Sequence, residues 1–284
     1  MRDSTSSNNK LQGKVAIITG GTSSMGEATA CLFSFHGAQA IAIADVQDEK
    51  DHKLAMDGAS GLGEATAHHF AAQGARAIVI ADIQDENGQK VAVEIGSNIC
   101  TYVHCDLRDE EQVKNLVEFT LKSYGCVDIM FSNAGMGRAT QTCDQTSLDM
   151  ELSAYDKLMA VNVRGMAACV KHAGKAMVEG HVRGSIVCTA SHAVLGLVRC
   201  ASLKLGAYGI RVNCVSPGAV GTPLLKDMFR YENEEEDKVV ASNQYLKGEV
   251  MRPKNVADAV LFLASEDSEF ITGHNLAVDG GCKT

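Results

Sequence analysis

The sequence predicts an α/β chain folded as a doubly wound, mostly parallel sheet. Three observations carry that expectation. Short apolar segments alternate with stretches of helical length from Lys14 onward. A glycine-rich turn, Thr19–Gly26, joins the first of those segments to the first helix. The segments are near-continuous Val/Ile/Ala runs, as strands covered on both faces require. Helices between successive strands impose right-handed βαβ crossovers.

The first strand is Lys14–Thr19, short and β-branched. Two similar blocks follow, Gly21–Glu49 and Gly58–Glu86, with each position of the first matched 37 places on in the second (Gly21 and Gly58, Asp45 and Asp82). Each block reads glycine turn, helix, Gly-Ala turn, apolar strand, terminal Asp. Two copies do not make a solenoid, which needs at least three, so they read as an internal duplication of the first turn–helix–strand unit within one domain. The second copy either adds one αβ unit to the sheet, or one copy is extruded. Later elements are a helix near 87–95, a strand near 99–105, a helix near 110–124 and a strand at 127–132. A long helix follows at roughly 156–177, then strand 185–189, helix 193–205, strand 211–215, a helical flap at 223–248, a last helix at 255–264 and strand 275–278. Residues 1–13, polar and serine-rich, read as a flexible tail before a single domain over 14–284.

Composition narrows the function. The chain has 284 residues, 45% hydrophobic and 21% charged, ordinary values for a globular protein. A net charge of −9 offers nothing to capture nucleic acid. No run of 18 apolar residues suggests a membrane span, and no signal peptide is visible, so a cytoplasmic location is expected. The ten cysteines are scattered without a CxxC pair, which favours reduced, mostly buried thiols and no metal site. His68-His69 on a helix would not face one way, and the acidic run 232–237 reads as a solvated surface.

The Thr19–Gly26 turn has the strand-before, helix-after context in which a glycine pattern binds a dinucleotide. Gly20, Ser24, Met25 and Gly26 are the candidate contacts: glycines bring backbone amides to a pyrophosphate, and the helix N-terminus adds positive potential. A turn that merely packs helix on sheet is the plain alternative. Asp45, about 20 residues on, ends the next apolar strand and can accept from ribose hydroxyls. It repels a 2′-phosphate, so NAD is favoured over NADP. Asp82 has the same local context and is its rival. Strand continuity favours the first turn, because the second follows the charged segment Asp51–Asp57 and would set Asp57 against the pyrophosphate.

With these motifs in order, the chain resembles the short-chain dehydrogenase/reductase family, whose fold is of Rossmann type, and within it the plant NAD-dependent alcohol dehydrogenases of terpenoid, lignan and hormone metabolism. The resemblance spans Lys14 to Gly281. It implies adenine contacts at Asp106 and Leu107, a small-residue turn at Asn133-Ala134-Gly135, and a central-helix Asn at Asn162. It implies nicotinamide-side contacts at Pro217, Gly218, Val220 and Thr222, and a closing Val278-Asp279-Gly280-Gly281. The implied reaction is hydride transfer between NAD and a small, mostly apolar secondary alcohol or ketone. Ser191 corresponds to the family serine that holds the substrate oxygen, and Asn162 to the asparagine of its proton relay.

The family base is a Tyr, whose pKa near 10 is brought down by a Lys one helical turn on. No Tyr-x-x-x-Lys occurs here: the six Tyr are followed four places on by Asp106, Asp128, Met159, Val212, Glu235 and Glu249. After Ser191 the sequence passes directly to His192-Ala193-Val194, which resembles the stretch just behind the family Lys. Tyr208 and Lys204 are expected at the far end of the following helix, and Tyr155 and Lys157 before the central one. His192 has a suitable intrinsic pKa for a surrogate base, and helix capping or solvation is its plainer reading. Three readings follow: an oxidoreductase of impaired turnover, a non-catalytic NAD-binding or assembly protein, or a chain altered from an intact dehydrogenase. The family's habit of tetramer formation through the central helix and its neighbour makes a homo-oligomer an expectation, weakened by the shortened neighbour.

Overall fold

The computed structural model describes residues 10–20, 24–44, 78–82, 93, 100–135, 151–222, 225 and 235–281. Its eight strands are β1 (Val15–Thr19), β2 (Ala40–Ala44), β3 (Ile78–Asp82), β4 (Cys100–His104), β5 (Ile129–Ser132), β6 (Ser185–Thr189), β7 (Arg211–Pro217) and β8 (Asn275–Val278). They form one sheet in the order β4-β3-β2-β1-β5-β6-β7-β8, and every neighbouring pair is parallel. The described helices are α1 (Ser24–Phe35), α2 (Glu110–Tyr124), α3 (Leu152–Met159), α4 (Met166–Glu179), α5 (His192–Leu205), α6 (Glu236–Ser242) and α7 (Pro253–Ala264).

All five residues of β1 are buried, and alternate ones serve different layers. Ala16 and Ile18 join Phe33 of α1 and Val260 of α7 on one face. Ile17 joins Leu116 of α2, Cys169 of α4 and Val198 of α5 on the other. A two-residue side-chain period in a strand between two helical layers produces this split.

The sheet answers the question left open by the two copies. The second copy's strand is not extruded; it stands as β3 between β2 and β4. Its register on β2 is Ile41↔Ile78, Ala42↔Val79, Ile43↔Ile80 and Ala44↔Ala81, so each residue pairs with its own counterpart in the other copy.

Several boundaries differ from expectation. Lys10–Gly13, assigned above to a free tail, pack on the end of α1: Leu11 is buried and its amide donates to the His36 carbonyl. The central helix begins at Leu152 rather than near 156, and a π-helical segment, 160–165, joins α3 to α4. Tyr155 and Lys157 therefore lie within α3 and not before it. The described part of the flap holds the short α6. The helix expected near 87–95 falls outside the described residues except for Val93, as do His68-His69 entirely. Buried Cys105, Cys169, Cys188 and Cys214 are free thiols. Burial raises all four, Cys169 to about 12 and Cys214 to about 11, which leaves them unreactive.

Candidate active site

Strand order reverses between β1 and β5, so the crevice beyond their carboxyl ends is the topological switch point of the sheet. Two expected site segments meet there. Thr19 Oγ1 accepts from the amides of Asn133 (3.0 Å) and Ala134 (3.2 Å). The Asn133 side-chain amide donates to the Gly20 carbonyl (3.1 Å), and Thr189 Oγ1 donates to Asn133 Oδ1 (3.1 Å). The ends of β1, β5 and β6 are thus tied by one buried network.

Gly20 needs to be glycine. Its φ is +66°, and a Cβ there would lie 2.7 Å from Ala134 Cα. That close approach sets the Thr19–Gly20 turn against the Asn133–Gly135 turn; α1 begins at Ser24, with Met25 half-buried and Gly26 buried. An N-terminus of a twelve-residue helix at a switch point suits a phosphate, because a helix directs the backbone amides of its first turn outward along its axis. Gly135 is exposed and faces Asn162: a Cβ on Gly135 would lie 3.4 Å from Asn162 Oδ1. Asn162 stands in the π-helical segment, the kind of local widening that often marks functional positions.

On the adenosine side, β2 ends at Ala44, and Asp45 itself lies outside the described residues. Asp82 ends β3, two strands from β1. Asp106 follows β4 and so stands a further strand out. Burial raises the Asp106 carboxyl, but two hydrogen bonds and the charge of Arg108 outweigh it and hold the group below the usual carboxylate range. Arg108 Nε lies 2.9 and 3.0 Å from its two oxygens. Leu107 is fully buried, with its Cβ and its carbonyl oxygen packed against Gly165. Asp106 thus follows a strand three places from β1, with its carboxylate engaged by Arg108. The local sequence Asp106-Leu107-Arg108 held the signal for the ion pair, and the apolar strand of the second copy held that for the added strand, Ile78–Asp82.

On the other side, β7 ends at Pro217. The Gly218 amide donates to the Val278 carbonyl, and a Cβ on Gly218 would meet Asp279 Cα at 2.9 Å. Val220 is buried, and Thr222 Oγ1 accepts from the Leu225 amide. Close contact with Asp279 therefore accounts for the glycine at 218, whereas Gly280 and Gly281 take positive φ beside Gln244 and Tyr245.

Ser191 is exposed at the N-cap of α5, with no cap hydrogen bond from its side chain. Only Ala190 and Ser191 separate β6 from that helix. Exposed His192 is its first residue. Tyr208 lies just past the far end of this 14-residue helix, and a helix of that length spans roughly 20 Å. Lys204 is in its last turn. Ser191 and Asn162 are therefore present without a Tyr and Lys between them. Thr189, missed by motif reading, joins the site by holding Asn133; a hydroxyl on the last residue of the strand was the available signal.

A family model described as enoyl-(acyl carrier protein) reductase matches residues 58–195 and 189–283. The first match opens on the second glycine turn, and the two overlap at residues 189–195, where the Tyr-x-x-x-Lys segment is missing. The (−)-isopiperitenol/(−)-carveol dehydrogenase, mitochondrial, of Mentha piperita is 50% identical over 96% of this chain and 94% of its own. Secoisolariciresinol dehydrogenase of Forsythia intermedia is 38% identical over 96% of this chain and 90% of its own. Short-chain dehydrogenase reductase 3b of Arabidopsis thaliana is 39% identical over 97% of each. This chain belongs to the short-chain dehydrogenase/reductase family. A solved short-chain type dehydrogenase/reductase from Mycobacterium marinum superposes with a TM-score of 0.71 at 25% identity, covering 95% of both chains.

The family assignment makes the chain a relative of oxidoreductases that act on CH–OH groups, with plant alcohol dehydrogenases among its kin. In this chain the described residues give an eight-stranded sheet and a site entered by α5 two residues after β6. Among the described residues, no group of three His, Cys, Asp or Glu side chains is placed to hold a metal ion, and no helix is long and apolar enough to cross a membrane.

Proposed function

We propose that this short-chain dehydrogenase/reductase holds NAD at the β1/β5 crevice and is directed toward a small, mostly apolar secondary alcohol or ketone, with turnover severely impaired. The observation that carries the cofactor reading is the position of the first glycine turn: Gly20 and the start of α1 lie at the switch point, whereas β3 is two strands away. NAD when bound supplies the hydride acceptor. Backbone amides at the opening of α1, with Ser24 and Gly26, would take its pyrophosphate. Asp45 would accept from the ribose hydroxyls and disfavour a 2′-phosphate, so NAD is preferred over NADP. Asn133–Gly135 and Pro217–Thr222 would border the nicotinamide half.

At the reacting end, Ser191 Oγ would hold the substrate oxygen by donating a hydrogen bond to it. The Tyr-x-x-x-Lys pair that would take the alcohol proton does not occur in the sequence, and that loss slows hydride transfer. The relative from Mentha piperita, named for isopiperitenol and carveol, suggests monoterpenol-sized alcohols as the substrate class.

A second reading is a non-catalytic NAD-binding or assembly protein. The direct entry of β6 into α5 favours it, because that junction leaves no room for the missing segment. Calorimetry with NAD and NADP, followed by NAD reduction with secondary alcohols including carveol, separates the readings. Binding with slow turnover supports the first, and binding with none supports the second. Rates normal for a dehydrogenase contradict both, and no binding to well-folded protein removes the cofactor reading. The cytoplasm is the proposed location, and a homo-oligomer through α4 and α5 the proposed assembly.

A further inference from the structure

Nine positions of the first copy between Gly26 and Ile41 are buried, where α1 packs along α7 and β2 pairs with β1. Seven of the nine are repeated residue for residue 37 places on, for example Gly26 as Gly63, Phe33 as Phe70 and Ile41 as Ile78. The two that change are Ser34, which is Ala71 in the second copy, and His36, which is Gln73. Those same two residues carry buried polar atoms without a hydrogen-bond partner, Ser34 Oγ and His36 Nδ1, two of three such atoms among the described residues. Buried polar groups are otherwise almost always satisfied. The solvent-facing Phe35 is likewise replaced, by Ala72. The first copy thus sits in the berth with one unpaired hydroxyl, that of Ser34, which the second copy's Ala71 lacks, and with the unpaired ring nitrogen of His36 where the second copy has a Gln.

From this we infer that the two copies compete for one berth: residues 58–82 can replace residues 21–45 between β1 and α7, converting the eight-stranded sheet into a seven-stranded one in which β3 pairs directly with β1. The register permits it. β1 meets β2 as Ala16↔Ile41, and β2 meets β3 as Ile41↔Ile78, so the counterpart residue is already at the right height to meet Ala16. The pairing of β3 with β4 is kept in both forms. Gly20 then leads to Gly58 through a looped-out first copy, and the entropy of closing a loop grows only slowly with its length. Two packings of one sequence can, in rare proteins, differ by only a few kcal/mol and interconvert.

The test uses cysteine pairs in the full chain, Ala16→Cys with Ile41→Cys and, separately, Ala16→Cys with Ile78→Cys, oxidised mildly and mapped by peptide mass. In the eight-stranded sheet positions 16 and 78 are separated by β2, about 10 Å apart, beyond the roughly 7 Å a disulfide tolerates. Competition predicts cross-linking of both pairs. Adding Ser34→Ala and His36→Gln, which gives the first copy the second's residues, is expected to lower the 16–78 yield several-fold. Cross-linking of 16–41 alone overturns the inference. If the Ala16→Cys chains do not fold, hydrogen exchange of the unaltered chain decides. Two isotopic populations in the peptide spanning 28–44 support exchange, and a single protected population refutes it.

Discussion

Thr19 and Asn133 are joined across the strand-order reversal: one hydroxyl oxygen accepts the Asn133 amide at 3.0 Å and, beside it, the Ala134 amide at 3.2 Å. Thr19 is fully buried, so neither amide has water as a substitute. Thr19→Val keeps the shape and removes the acceptor. Orphaning two buried amides is expected to cost about 2–4 kcal/mol. Thr19→Ser should lose far less. Urea denaturation of the two variants checks the difference.

Gly20→Ala combines a left-handed backbone with a Cβ set 2.7 Å from Ala134 Cα. The conformation alone costs about 1–3 kcal/mol for a non-glycine residue, and the clash forces the two turns apart. Thermal unfolding is expected to show the loss of stability. NAD calorimetry is expected to show weakened binding even at temperatures where the variant is folded.

Ser191→Ala separates two roles of one residue. A serine that caps a helix is worth about 1 kcal/mol, but the Ser191 side chain makes no cap bond to α5. Stability is therefore expected to change by less than about 0.5 kcal/mol. Any residual oxidation of an alcohol should fall much further. A stability loss typical of a lost cap would show that Ser191 is a structural residue.

His36 predicts a pH dependence. Burial, and then the charge of Lys10, lower its pKa against the opposing pull of Asp258 and Asp267. The folded state therefore favours the neutral ring. Its contribution to stability is present above the unfolded value near 6.5 and is lost as pH falls from there toward the lower folded value, because the unfolded chain takes up the proton first. His36→Gln should flatten the fall in melting temperature between pH 7.5 and 5.5. An unchanged slope would place the acid sensitivity elsewhere.

Arg211 closes the far end of the sheet. Its guanidinium donates to the carbonyls of Leu263, Ala264 and Ser265 and to Ser268 Oγ, satisfying the last turn of α7. Arg211→Met leaves those acceptors without their charged donor. The expected loss is about 2–3 kcal/mol, read by denaturant unfolding.

The strands and the glycine turns were legible because they are local. Four buried apolar residues in β1 and the Thr19–Gly20 turn announce themselves whatever surrounds them. The missing Tyr-x-x-x-Lys was equally legible, since a motif at fixed spacing is present or absent in the chain. The π-helical segment around Asn162 was not, because its widening reflects packing between α3, α4 and the Gly135 turn. Nor was the bond from Thr189 to Asn133, which joins residues 56 apart in sequence.

The sequence by itself determined that this chain alternates strands and helices, carries two copies of one glycine turn–helix–strand unit and lacks the family's paired base and cation. Only the tertiary structure decided what the second copy does. It enters the sheet as β3 beside its own counterpart and sets Asp106 one strand farther from the crevice. Hydrogen bonding between strands is blind to sequence identity: two equal segments can pair, replace one another or leave the sheet. The outcome depends on which packing buries their apolar faces, and that is a property of the whole fold.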